Sequence, residues 1–198
     1  MNRQEVWNLV TEYTESKSLL HHMLAVEAGM RAYARKFGED EEVWGMIGLV
    51  HDFDYERYPS MDPDVPDSEK HCLAGAEILR ERGWPEDWIR AVLSHATYSG
   101  VKPETMMEKT LFAVDELTGL ITAVALVRPS KNIADVKVKS VRKKWRDKAF
   151  AAGVNRQEIE QATEDLGVEL SDHIQTVLEA MQGIAADLEL DGRLAPGN

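Results

Sequence analysis

Apolar residues recur at three- and four-residue spacing along almost all of this chain, and no run of period-two alternation lies between hairpin turns. That periodicity restricts the fold to packed helices. The spacing predicts helical segments over 2–15, 18–37, 40–52, 68–82, 85–96, 104–127, 134–151, 155–165 and 168–188. Local signals support several ends: Gly38 and Gly83 follow helical runs, Pro85 opens one, and Pro129 cannot continue the amide ladder of the long sixth segment. A chain of 198 residues can bury one sizeable core, so a single all-helical domain over 1–190 is expected, with a frayed tail at 191–198.

The stretch from Phe53 to Asp67 carries three prolines among its aspartates and reads as a loop. It leaves directly from His51 and Asp52, so it serves either as a lid or substrate-selecting element or as a plain connector. No stretch approaches the ~20 consecutive apolar residues of a membrane span, and the first residues lack the continuous apolar centre of a secretion signal. The expectation is a cytoplasmic protein without a membrane partner. Cys72 is the only cysteine, which excludes an internal disulfide, and it reads as a small buried apolar residue. The net charge of −12 repels polyanions, so duplex nucleic acid is not an expected ligand. Positive charge nevertheless gathers between Arg128 and Lys148, where nine lysines and arginines meet only Asp135 and Asp147. This segment is either a solvated helix face or a place that steers a small phosphorylated molecule.

Helical phase then selects among the histidines. His22 shares a face with Val26, Gly29, Met30 and Tyr33; His51 aligns with Trp44 and Ile47; His71 with Ala74, Gly75 and Ile78; His95 with Trp88, Ala91 and Val92. Asp115 aligns with Leu111, Phe112 and Gly119, and Asp52 adjoins His51 at a helix end. Each histidine alone reads as a core or surface residue, but several inward polar groups together require mutual satisfaction or a cation. Neutral imidazoles with carboxylates suit one or two divalent ions of iron, manganese, zinc, cobalt or nickel, and the lack of thiolates argues against a closed structural zinc site. His21 lies about 100° around the helix from His22 and reads as exposed or supporting. His173 reads as structural or solvent-facing, Glu116 as a helix-surface acid or a group that orients a ligand, and the tryptophans as core aromatics.

The order of these residues resembles the HD superfamily, including its HDIG-like phosphohydrolases. The residues that carry the resemblance are His22 in LLHHMLAVEA, His51-Asp52 in GLVHDFDYE and Asp115 in FAVDELTGL, with His71 and His95 similar to the additional histidines of binuclear members. The similarity spans about 18–127 and leaves 128–190 as a C-terminal helical extension. One departure is Phe53-Asp54 after the pair, where a common subgroup has Ile-Gly. The resemblance implies one metal on His22, His51, Asp52 and Asp115, and a second on His71 and His95 with Asp52 bridging. It implies that His51 and Asp52 are catalytic, holding a metal-activated water that attacks a phosphomonoester or phosphodiester, perhaps of a nucleotide. Arg128 and Lys131 are expected to hold the substrate's phosphate or carboxylate. Two other readings remain: a di-iron oxygenase that cleaves carbon–carbon or carbon–phosphorus bonds, and a metal-stabilised sensing module with little turnover.

Overall fold

In the computed structural model, which describes residues 1–196, the chain is helical throughout, and no β-strand forms among the described residues. Helices α1 (Arg3–Tyr13), α2 (Lys17–Phe37), α3 (Glu41–Val50), α4 (Leu73–Glu81), α5 (Glu86–Ser94) and α6 (Met106–Leu126) come first. They are followed by α7 (Val138–Trp145), α8 (Arg156–Asp165) and α9 (Leu170–Gly183). Their starts follow from local chemistry. Asn2 with Glu5 and Thr105 with Glu108 form reciprocal capping boxes, while Ser16 and Asp40 accept amide hydrogens at the starts of α2 and α3. Helix α2 ends on Gly38, whose φ of 74° lies in the left-handed region where a side chain is disfavoured.

Helix α2 is the centre of the packing, lying against α3, α6 and α9. Two apolar cores meet on it. One contains Val26, Met30, Tyr33 and Ile47 with Leu117, Ile121 and Val177; the other contains Val6, Val10, Met23, Leu49, Phe53, Leu79 and Ile89. Helices α2 and α3 therefore contribute to both. An ionic cluster fixes α1 to the same pair: buried Glu27 accepts from Arg3 Nε at 2.6 Å and from Arg31 Nε at 2.9 Å, and Arg31 also reaches Glu42.

Several expected segments are shorter than their periodicity suggests. The segment expected over 68–82 begins as a helix only at Leu73, because Cys72 sits at φ 53° and a right-handed helix cannot run through it. Helix α7 is a core of the span 134–151, with Ala151 at φ 46° beyond it, and α9 stops at Gly183. The tail is also better tied than expected. Ile133 donates to the Leu190 carbonyl at 2.8 Å, and Asn132 Nδ2 donates to the Asp191 carbonyl at 3.2 Å. Of the expected frayed segment, 197–198 lies outside the described residues. The loop after α3 is stapled at its start: Thr14 donates to the Phe53 carbonyl at 3.0 Å, and Glu56 accepts from the Glu15 and Ser16 amides at 3.0 and 2.9 Å.

His173 resolves toward its structural reading. It is fully buried on α9, with Nε2 donating to the Ala113 carbonyl at 2.9 Å and Nδ1 accepting from Tyr33 Oη at 2.6 Å. Burial pushes its pKa down to about 4. The folded protein thus binds fewer protons than the unfolded chain, and this contribution to stability is full above the unfolded pKa of about 6.5 and lost as pH falls toward 4. Thermal unfolding should show a loss of up to about 3 kcal/mol across that window. The loss should shrink in His173→Gln, and an equal loss in both proteins would assign it to other groups.

Candidate metal centre

The site is assembled at ends and turns more than on helical faces. His22 and Asp115 lie within α2 and α6, but His51 and His95 take the C-cap positions of α3 and α5, and His71 lies on the turn before α4. The expectation that His51, His71 and His95 sit on helix faces is thereby corrected. A residue at a helix end retains a defined backbone direction while its side chain escapes the crowding of the preceding turn, which lets three chain segments converge.

Six side chains meet. Asp52 Oδ1 lies 3.0 Å from His71 Nε2 and 3.3 Å from His95 Nε2, while its Oδ2 lies 3.5 Å from Nε2 of both His22 and His51. Asp115 Oδ1 lies 3.0 Å from His22 Nε2 and 3.5 Å from His51 Nε2. One carboxylate thus divides four imidazoles into two pairs, with ligand atoms of His22, His51 and Asp52, and of Asp52, His71 and His95, within 4.8 Å of one another.

The outer nitrogens decide what the inner ones present. His51 Nδ1 faces the Gly48 carbonyl at 2.8 Å, His71 Nδ1 faces Asp54 Oδ1 at 2.9 Å, and His95 Nδ1 faces the Val92 carbonyl. His22 Nδ1 lies 3.2 Å from Thr118 Oγ1, whose own hydrogen goes to the Asp115 carbonyl at 2.8 Å. Each outer partner accepts, so each Nδ1 carries a hydrogen and each neutral ring turns the lone pair of Nε2 inward. Those lone pairs oppose at 3.3 Å between His22 and His51 and at 3.2 Å between His71 and His95. Two acceptors at that range repel unless a proton or a cation lies between them. The donor set, four imidazoles and two carboxylates without a thiolate, fits a divalent transition metal at each pair.

Asp54 was not anticipated as part of the site. It is fully buried two residues beyond Asp52, and its second oxygen accepts the Gly75 amide at 2.9 Å near the start of α4. A Cβ at Gly75 would meet that carboxylate at 2.8 Å, so only glycine lets α4 approach it. The signal was present in the Phe53-Asp54 departure, where an acid replaces a small residue. Thr118, three residues after Asp115, was equally unannounced.

Electrostatics follow from the geometry. Burial disfavours a charged His22, yet Asp115 and Asp52 outweigh it and lift its pKa to about 10; His71 rises to about 10 against burial through Asp52 and Asp54. Burial would raise Asp52 and Asp115, but the surrounding histidines, His51 foremost, hold both well below the usual carboxylate range. Burial pushes the Cys72 thiol up to about 12, which keeps it neutral.

A cavity of about 410 Å³ opens onto the cluster, bordered by Tyr55 and Met61 from the loop after α3, by Tyr98, and by Glu116 and Glu158. Glu116 is half-buried there, its pKa pushed up to about 7 by burial and by the charge of Asp115. Arg128 and Lys131 are not among the lining residues. They follow the far end of α6, where thirteen residues of helical rise set the Arg128 backbone roughly 20 Å beyond that of Asp115. His21 turns away from the cluster toward neighbouring surface grooves.

A profile of the HD-domain family matches residues 19–120, just over half of the chain, and takes in all six of these residues. The chain belongs to the HD-domain family. No curated protein and no solved structure matches it. The family is one of metal-dependent phosphohydrolases, and this HD domain carries the His/Asp clusters consistent with a divalent metal site. No helix among the described residues is long and apolar enough to cross a membrane.

Two outcomes follow for this HD domain. Without a cation His22 and His71 hold protons at neutral pH, so metal loading should release protons and tighten as pH rises toward 10. Calorimetry in buffers of different ionisation enthalpy checks this, and uptake independent of buffer would contradict it. Replacing Asp54 by Asn should weaken metal binding on the His71–His95 side by roughly 10- to 100-fold, read by chelator competition, because the amide cannot accept from both His71 and Gly75.

Proposed function

We propose that this HD domain hydrolyses a phosphomonoester or phosphodiester of a small molecule, with the His/Asp cluster around Asp52 as the group that would hold divalent metal ions. The observation that supports the reading is the division of the Asp52 oxygens between two histidine pairs, each with its outer nitrogen already committed. In this reading His22, His51 and Asp115 hold one ion and His71 and His95 the other. Bound there, the ions supply Lewis acidity, lower the pKa of a water and neutralise charge developing on the phosphoryl oxygens.

The protein's own groups do the rest. Thr118, the Gly48 carbonyl, Asp54 and the Val92 carbonyl keep the four rings from rotating, so the donor atoms are already placed before substrate arrives. Tyr55, Met61 and Tyr98 wall the cavity beside the cluster. Glu116 lines the same cavity beside Asp115. No lysine or arginine is among the residues lining the cavity, so attraction of an anion there falls to the ions themselves.

That same acidic lining supports a second reading, a di-iron oxygenase acting on a substrate of little net charge. Oxygen-dependent turnover by the iron-loaded protein distinguishes the two. For the hydrolase, metal-loaded protein should release phosphate or alcohol from simple phosphate esters, and Asp52→Asn should lower kcat by roughly 100-fold or more, since one substitution disturbs both ions. Equal release by the variant and the unaltered protein would remove Asp52 from the chemistry.

A further inference from the structure

A second cavity, of about 520 Å³, adjoins the first, and His22 and Gly119 border both. It runs between the first half of α2 and the second half of α6. Thr122, Ala123 and Leu126 form one wall and Leu188, Leu190 and Leu194 of the C-terminal segment the other. These α6 positions continue the face of Asp115 and Gly119 at helical spacing, so the groove extends from the ligand cluster roughly 10 Å along the helix. Its far mouth is polar, where Lys17 Nζ lies 3.5 Å from Glu189 Oε1.

Gly119 stands at the junction. A Cβ built on Gly119 meets nothing within 4 Å, although the residue lies well inside a helix, where glycine costs about 1 kcal/mol relative to alanine. Neither a turn nor a close helix contact requires glycine here. The exposed apolar side chains carry the same message. Of the seven large ones among the described residues, Met61 and Tyr98 border the first cavity and Leu126 and Leu194 the second. Apolar surface left in water beside a reaction centre gains free energy when a ligand covers it.

We propose that the groove beyond Gly119 receives an apolar chain or ring of the substrate whose phosphoryl group reacts at the His/Asp cluster. The substrate class is then an amphiphilic phosphate ester, with Gly119 setting how far its apolar part extends. This rests on the hydrolase reading for the position of the phosphoryl group. It adds a length preference that the metal chemistry does not require.

The test uses the metal-loaded full chain and two non-hydrolysable probes, ethylphosphonate and octylphosphonate, with binding read by calorimetry. The octyl probe should bind at least about tenfold more tightly. In Gly119→Leu, where the added side chain has room and would occupy the junction, the octyl advantage over ethylphosphonate should vanish. Leu194→Asp should reduce the same advantage from the opposite wall. The proposal is overturned if the two probes bind alike in the unaltered protein, if neither binds, or if the octyl advantage survives both substitutions. Failure of the hydrolase reading is separable: octyl phosphate that binds with the length preference but is not cleaved would remove hydrolysis and leave the groove assigned.

Discussion

Four imidazoles turned inward on one buried carboxylate form an arrangement that cannot stand uncharged. The lone pairs of His22 and His51, and of His71 and His95, face each other at hydrogen-bond range, and Asp52 and Asp115 bring negative charge among them. Either protons or cations must occupy the centre, and in both cases the outer nitrogens keep their acceptors. Helices α2 to α6 all deliver a side chain to this point or end beside it, so the packing of the two apolar cores and the charge balance of the centre constrain each other.

The residues behind the ligands show how the fold meets that constraint. Asp54 joins His71 to the amide end of α4, so the carboxylate gains from the positive end of the helix while it fixes the ring. His51 and His95 instead lean on carbonyls of their own helices three residues earlier, Gly48 and Val92, and the Val92 carbonyl also takes the His95 backbone amide at 3.3 Å. A C-cap position is therefore useful for a metal-binding histidine in a way that a mid-helix position is not.

Much of this was legible in the sequence. Periodicity located nine helical segments because each buries one stripe, and the same phase argument singled out His22 over His21, while His173 stood apart because it lies beyond the stretch that resembles the HD pattern. It failed where tertiary contacts decide. Nothing local announces that Cys72 adopts a left-handed backbone, that His71 precedes its helix, or that Asp54 is buried rather than one more acid in a polar loop. For the basic run, a straight helix converts the separation of Arg128 from Asp115 in number into distance along α6. Gly119 stood only as a face-mate of Asp115, because an empty space beside a glycine is a property of the surrounding walls.

The stapling of the loop after α3 bears on where this protein can be divided. The family-defining stretch starts at residue 19, after α1, yet the backbone that follows Asp52 is clamped by Thr14 and by the Glu15 and Ser16 amides, with Tyr13 edge-on to Phe53 at 5.2 Å. A crop at the family boundary would retain all six ligating side chains and discard the brace that holds two of them in register. The smallest unit that holds this centre in place is thus larger than the stretch by which kinship is recognised, and a transplant of the centre into another helical scaffold would have to carry the first helix with it.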